Sequence, residues 1–208
     1  TEQCIKIIDL ISNSQNMYLN QGLNFSNNSL QKDISLFLKD RFKYYLKEKN
    51  IRHDIIEAAT NVLSLNKIST VYEKAKSLNK IINKPIGEDI VLSYKRANNI
   101  LNSEVKNIHN ELTNSTDPGI FKTEFEKNLY KKINELRKNL SIITNTQNFD
   151  ETIILLSTAK KEIFEFFDNV KVNEENDTLR KNRLELINML CKTFQNFINF
   201  QLLKAGNE

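Results

Sequence analysis

The stretch Phe166–Ile187, FFDNVKVNEENDTLRKNRLELI, contains the end of one helix, a polar turn and the start of another. Ahead of it Ile153, Leu156, Ile163, Phe167 and Val170 make an apolar stripe at three-to-four spacing, the period of an amphipathic helix. Behind it Ile187, Leu190, Phe194 and Phe197, continuing to Gln201, repeat that period. Between the stripes Asn173, Glu174, Glu175, Asn176 and Asp177 favour turns and helix caps. Asp177 reads as the N-cap of the last helix, and Arg180, Lys181 and Arg183 follow it directly. Cations in a first helical turn oppose the macrodipole by about 0.3–1 kcal/mol each, so another interaction must favour them. Arg183 stands four residues before Ile187, at the head of the stripe. Two readings are level. One is an internal ion pair, with Arg183 turning back to Asp168, Asp177 or a buried carbonyl. The other is an anion site, and in a basic chain a nucleic-acid phosphate is the first candidate.

Composition narrows the fold class. The 208 residues include only 4 Gly and 2 Pro, too little turn chemistry for a sandwich or barrel, and 39% are apolar, enough for a core. Long periodic stretches with so few breakers indicate an all-α helical bundle. The formal charge of +4 is mildly basic, so a nucleic-acid binder of this kind would carry a local patch rather than a strong overall field. The abundance of Lys, Asn and Ile matches the usage of an AT-rich genome and is no evidence of function by itself. Cys4 and Cys191 lack metal spacing, and His53 and His109 lack companion ligands. A metal site and a disulfide scaffold are therefore not expected, and the compartment reads as reducing cytosol. No run of about 18 apolar residues occurs to span a membrane. The chain opens at Thr1 with neither a signal peptide nor Met, as the end piece of something larger would.

Taken in order, Gln3–Ile11 reads as the tail of a preceding helix and Ser12–Asn28 as mostly loop, so residues 1–28 precede a helical domain over 29–208. A helix from Ser29 to Asn50 presents Leu30, Ile34, Phe37, Leu38 and Tyr45 inward. Arg41 lies on the same stripe, and pairing with Asp40 or Asp54 would explain it. Ile51–Leu63 and Ile68–Asn83 follow as helices, and Pro85 and Gly87 stop the second. Glu88–Leu101 carries Tyr94, Lys95, Arg96 and Asn99, residue types that contact phosphates and bases; on pattern alone a solvated helix face, which charge clusters usually are, is the favoured reading. After an ambiguous 102–116 stretch, Asp117, Pro118 and Gly119 mark a new start, with Pro118 close to the first turn of a helix that reaches about Thr144, and one more runs from Asp150 into the opening stretch. The last helix fades at Ala205–Gly206. That makes seven or eight helices, with no internal repeat. A glycine-rich phosphate loop, a Ser-His-Asp arrangement and paired catalytic carboxylates are all missing, so no residue is assigned a catalytic role.

Four stretches, in order, carry a family likeness: FLKDRFKYYLKEKNIRHDIIEA (Phe37–Ala58), SYKRANNIL (Ser93–Leu101), DPGIFKTEFEKNLYKKI (Asp117–Ile133) and the opening Phe166–Ile187. Together they resemble the C-terminal anticodon-binding domain of the bacterial glycyl-tRNA synthetase β subunit, over roughly Ser29–Leu203. Lys171 departs from the methionine common there, and residues 22–29 show no clear match. The resemblance implies a helical bundle similar to the anticodon-binding domain of arginyl-type synthetases. It also implies a partner α subunit, in an assembly of two α and two β chains, that holds the aminoacylation site and uses glycine, ATP and magnesium. This piece would use no cofactor of its own and would grip the anticodon stem and loop of glycine tRNA.

Glycine anticodons end in two cytosines, and a reader of splayed bases needs acceptors for the cytosine amino group and donors for its carbonyl. Asn98, Asn99, Asp168 and Asn169 supply both. Tyr44, Tyr94 and His53 could stack, and Arg41, Arg52, Lys95, Arg96, Lys171, Arg180 and Arg183 could hold phosphates. Arg41, Asp54 and Asp168 are expected in structural ion pairs, a fate that also threatens Arg183. A different class stays open, a helical protein-docking module without RNA readout. Cations gathered on one face favour RNA, and cations spread evenly favour docking.

Overall fold

The computed structural model describes residues 7–23, 29–61, 68–105, 112–113, 115–146 and 148–205. Cys4, Val62, Leu63, His109 and Gly206 lie outside the described residues, as do residues 106–111 and 114 of the ambiguous 102–116 stretch. Nine α-helices appear in order among the described residues: α1 (Ile7–Asn20), α2 (Leu30–Glu48), α3 (His53–Asn61), α4 (Ile68–Ile81), α5 (Pro85–Val105), α6 (Glu124–Thr146), α7 (Phe149–Ser157), α8 (Lys160–Asn169) and α9 (Asp177–Gln195). Short 3-10 turns lie at Pro118–Ile120 and Phe200–Leu202. The described residues contain no strand, so the all-α architecture holds.

The helix that begins in the opening stretch is the axis of the molecule. Thirteen of the 19 residues of α9 are buried, on every side rather than along one stripe, and a helix enclosed all round belongs at the centre of a bundle. It packs on α5 and α6, and α6 also lies against α7 and α8. Helices α2, α3 and α4 pack in succession, α4 against α7 and α3 against the turn at Phe200–Leu202, while α1 packs on α2. An aromatic knot closes one end. Tyr94 and Phe194 each meet Phe200, with ring centroids 5.7 and 5.6 Å apart. Cys191 is fully buried beside this knot, and burial pushes its thiol up to about 12. It is a small core residue.

Polar side chains inside α9 fasten two loops to it. The Asn182 side chain accepts from the Asp117 backbone N–H at 2.8 Å and donates to the Asp117 carbonyl at 3.0 Å. Glu185 accepts from the backbone N–H and the hydroxyl of Thr113 at 2.6 and 3.0 Å. Arg183 holds the loop after α8 through the Lys171 carbonyl at 2.7 Å and Glu174 at 3.3 Å. Each bond satisfies a backbone or side-chain group that burial would otherwise strand.

Several boundaries differ from the sequence expectation, each for a local reason. The polar run 12–20 is helical, because Ile11, Ser14 and Tyr18 share a cleft with Leu30 and Ile34 of α2. The chain then turns at Gly22, whose φ is +79°. In α2 the buried residues are Phe42 and Leu46, while Phe37 and Tyr45 are exposed. The single helix expected from Asp150 divides into α7 and α8. Ser157 and Thr158 turn their hydroxyls back onto the Ile154 and Leu155 carbonyls, at 2.6 and 2.7 Å, and compete with the backbone ladder. The helix expected from Pro118 begins instead at Glu124, after the 3-10 turn. The N-cap of α9 is Asn176, not Asp177; its side chain accepts from the Leu179 N–H at 3.0 Å. Asn176→Ala should cost about 1 kcal/mol, measurable as a lowered urea midpoint. The last helix ends at Gln195 rather than Ala205, and the chain folds over into the turn at Phe200–Leu202.

Pro85 and Gly87 do more than end α4. Helix α5 starts at Pro85 rather than Glu88, with proline in the first turn, where its missing N–H costs nothing. A Cβ on Gly87 would lie 2.4 Å from the Ile81 carbonyl oxygen and 2.5 Å from the Ile82 Cα. Both are backbone atoms and cannot swing aside. Gly87→Ala should therefore destabilise the fold by about 1–3 kcal/mol, in the range of overpacked cores, and the thermal midpoint checks it.

Candidate nucleic-acid interface

The described residues separate the candidate site residues into a buried set and an exposed set. Tyr94 belongs to the core: it is 1% exposed, packs on Phe194 and Phe200, and its hydroxyl accepts a 2.9 Å bond from the Gln195 side chain. Burial raises its pKa, the Gln195 bond opposing this only in part. Tyr94 cannot stack on a base without opening the bundle. Asn98, on the same inner face, is buried too.

Arg183 is the second correction. Its guanidinium, 5% exposed, donates to the fully buried Glu126 carboxylate at 2.8 Å, besides Glu174 and the Lys171 carbonyl. So deep in the bundle, it is out of a phosphate's reach. The ion-pair reading and the buried-carbonyl reading both hold, but the acid is Glu126, 57 residues upstream in sequence. The other Glu126 oxygen accepts from the backbone N–H groups of Lys122 and Thr123 and from the Thr123 hydroxyl, while Thr123 accepts from the Glu126 N–H. This reciprocal pair is a capping box at the start of α6. Burial would raise the Glu126 pKa, but the Arg183, Thr123 and Lys122 bonds together hold it below the usual value.

Arg52 is likewise structural. It bonds both oxygens of Asp54, the Asn83 side chain and the Lys204 carbonyl, and Asp54 accepts from the Lys204 N–H at 2.7 Å. Asp54 is the structural acid expected, with Arg52 rather than Arg41 as its partner. Burial works against its ionisation, yet the Arg52, Lys204 and Ile55 donors hold the carboxyl below its usual range.

Arg41 moves the other way. It is exposed and lies over the Phe37 ring at 5.1 Å and the Tyr44 ring at 6.0 Å, and the described residues offer it no ion pair. His53 is exposed too, in a shallow cleft of about 390 Å³ lined also by Asp40, Lys43, Tyr44, Lys47 and Glu57. Lys43 there is held by Glu57 at 2.7 Å.

The outer face of α5 is what remains of the central cluster. Leu92 and Asn99 are exposed and Lys95 and Arg96 half-buried, one turn apart along the helix. Among the described residues Lys95 has no hydrogen-bond or ion-pair partner. Arg96 lies flat over Phe164 and Phe167 of α8, 5.4 and 5.3 Å from the ring centroids, and donates to Asp168 at 2.7 Å. Asp168 is thus in an ion pair, but an exposed one. Two residues past α8, Lys171 is exposed while its carbonyl is gripped by Arg183 and its neighbours Val170 and Val172 are buried. Arg180, one turn before Arg183, pairs with Asp177 at 2.6 Å and stays partly exposed. The fold therefore brings Lys95, Arg96, Asn99, Asp168 and Asn169 to one junction of α5 and α8, with Lys171 on the loop that leaves it. Arg52 and His53 lie at the separate α2–α3 corner.

The chain is similar to proteins named glycine--tRNA ligase beta subunit. That of Rickettsia prowazekii (strain Madrid E) is 30% identical over 196 residues, covering 94% of this chain and 27% of the relative. That of Rickettsia bellii (strain OSU 85-389) is 31% identical over 199 residues, covering 93% and 28%. That of Sulfurihydrogenibium sp. (strain YO3AOP1) is 31% identical over 170 residues, covering 82% and 24%. The chain thus spans about a quarter of the length of the curated relatives it matches. The family model of the DALR anticodon binding domain matches residues 90–205, which include α6 to α9, most of α5 and every residue of the α5–α8 junction. By that match the chain belongs to the DALR anticodon-binding domain family.

Proposed function

We propose that this chain is the anticodon-arm-binding part of a glycine–tRNA ligase β subunit and that the α5–α8 junction meets the RNA. The observation that carries the reading is the coincidence of the family match with an outward strip holding an unpaired lysine, a stacked arginine and exposed amides. Lys95 and Lys171 would hold phosphates as point charges, and Arg180 would add a third contact by releasing Asp177. Arg96, planar and held on two rings, suits bidentate or stacking contact better than a lysine would. Asn99, Asp168 and Asn169 would offer the donors and acceptors that cytosine edges need. His53 and Tyr44, at the α2–α3 corner, would touch the arm at a second place. This part makes no bond itself. Glycine, ATP and magnesium would be handled by a partner α subunit, in an assembly of two α and two β chains in the cytoplasm. No described helix is long and apolar enough to cross a membrane.

The test is binding of this chain to glycine tRNA and to a tRNA with a changed anticodon, across a salt series. Preference for glycine tRNA, with log K falling by roughly 0.7 per single-strand phosphate held for each log unit of salt, is the expected result. Salt-sensitive binding without preference would reduce the role to phosphate grip. No binding even at low salt would favour the protein-docking alternative and sink the RNA reading for the isolated chain.

A further inference from the structure

Arg183 is more than the core of this bundle needs. A buried ion pair between two helices gains little or nothing over apolar side chains of similar volume. Holding α6 on α9 therefore does not account for Glu126 and Arg183. What an apolar pair lacks is a reach to the third element at this point, the loop after α8. There Arg183 Nη1 donates to the Lys171 carbonyl at 2.7 Å and to Glu174 at 3.3 Å, while Nε donates to Glu126 at 2.8 Å. The planar fork sets these groups in one geometry, which a point charge would not.

The loop is tied at three points. Val170, its first residue, is extended (φ −120°, ψ 116°), and its N–H donates to the Phe166 carbonyl at 2.9 Å. The Glu174 N–H donates to the Val172 carbonyl at 3.0 Å. Val170 and Val172 are buried and Lys171 between them is exposed, the alternation of extended backbone. Lys171 is thus fastened before, after and at its own carbonyl, while among the described residues its ammonium has no partner. A lysine on loose backbone must order both backbone and stem when it binds; here the backbone is ordered in advance. Resting on the reading of Lys171 as a phosphate contact, we propose that Arg183 is a positioning residue for RNA binding. It touches no RNA itself, and through the Lys171 carbonyl it fixes the point from which Lys171 reaches out.

The test is a thermodynamic cycle on the whole 208-residue chain. Lys171→Ala is made in the natural chain and in one carrying Glu126→Leu with Arg183→Met, whose core holds no stranded charge. Binding of glycine tRNA is measured at a temperature where all the chains are folded. In the natural chain Lys171→Ala should weaken binding about fivefold at low salt and lower the salt slope by roughly 0.7–0.9. In the chain with the apolar pair the same change should cost less than about twofold. Without RNA, replacing the pair should speed exchange of the Val170 and Glu174 amides by about tenfold or more, while the centre of α9 stays protected. If the double replacement unfolds the chain, Glu174→Ala takes its place. That residue is one-third exposed, and its loss frees one of the two loop bonds to Arg183, which should also shrink the Lys171 increment. An equal cost of Lys171→Ala in both chains overturns the proposal and leaves Lys171 a contact that needs no positioning. Unchanged exchange of the loop amides overturns it without any RNA. So does an increment lost equally in Arg52→Ala, which loosens a different corner and controls for stability alone. A Lys171→Ala change that alters nothing in the natural chain removes the proposal while Lys95 and Arg96 still decide the RNA reading. No binding by the natural chain removes both.

Discussion

Glu126→Ala should lower the unfolding free energy by roughly 3–5 kcal/mol, the usual cost of removing one partner of a buried ion pair. The carboxylate is fully buried, and its donors besides Arg183 would lose little by comparison, since they sit at the rim of α6 near solvent. What makes the loss large is the guanidinium left behind. Arg183 is nearly as buried, and Glu174, 3.3 Å away and one-third exposed, is its remaining acid. Replacing both members, Glu126→Leu with Arg183→Met, should recover much of the loss, because no stranded charge then remains. The pH dependence follows with a definite sign. The folded Glu126 pKa lies below the usual value of 4.5, so the unfolded chain binds the proton more tightly. The stabilisation is complete above that usual value and drains away as pH falls through it toward the folded pKa. Glu126→Gln should flatten this acid limb, and Asp54, lowered from 3.8, should sustain the part that persists. Urea unfolding at several pH values between about 3 and 7 measures both. An acid limb as steep in Glu126→Gln as in the natural chain would refute the assignment.

The Arg183 case explains where the sequence was legible and where it stopped. The apolar period found α9, α6 and α5 as helices but not their ends, because packed helices repeat apolar residues at the spacing of their turns while caps and turns set where they stop. Tyr94 and Asn98 were written on that same stripe, and their burial could have been read from Ile90, Ala97 and Leu101 around them. Arg183, at the head of the stripe before Ile187, was legible only as far as two level readings, an internal ion pair or an anion site. What no local pattern could supply was the acid, since Glu126 comes from another helix; yet Thr123 and Glu126 stand three apart just before an apolar run, the spacing of a capping box, and that signal was present in the sequence. Arg41 misled for the opposite reason. It shares a stripe with Leu30, Ile34 and Phe37, but α2 turns Phe42 and Leu46 to the core, and the arginine ends up outside, between two exposed rings. Tertiary packing, not periodicity, decides which of two plausible faces of a helix is covered.

Removing Lys95 and Lys171 together should weaken binding of glycine tRNA at least tenfold at low salt and lower the slope of log K against log salt by roughly 0.7–0.9 for each phosphate no longer held. Both side chains lie outside the packed core, and the described residues give Lys95 no ion pair, so stability should hardly change. Arg96→Ala should cost about 1–3 kcal/mol of binding, roughly a 5- to 150-fold loss, the range for an arginine that reads a base edge. Arg96→Lys separates the roles: it keeps the charge but not the plane resting on Phe164 and Phe167. Salt slope should survive that change while preference for the glycine anticodon falls. The exposed pair with Asp168 contributes little to folding, about 0–1 kcal/mol. Asp168→Asn therefore tests the carboxylate directly. If Asp168 accepts from a cytosine amino group, preference should drop even though overall affinity rises with the loss of a negative charge. Two controls come from the buried set. Tyr94→Phe removes one bond to Gln195, worth about 0.5–1.5 kcal/mol of stability, and Arg52→Ala loosens the α3 corner. Below their melting temperatures neither should alter the anticodon preference. A salt slope unchanged by removal of Lys95 and Lys171 would return the α5 strip to an ordinary solvated helix face.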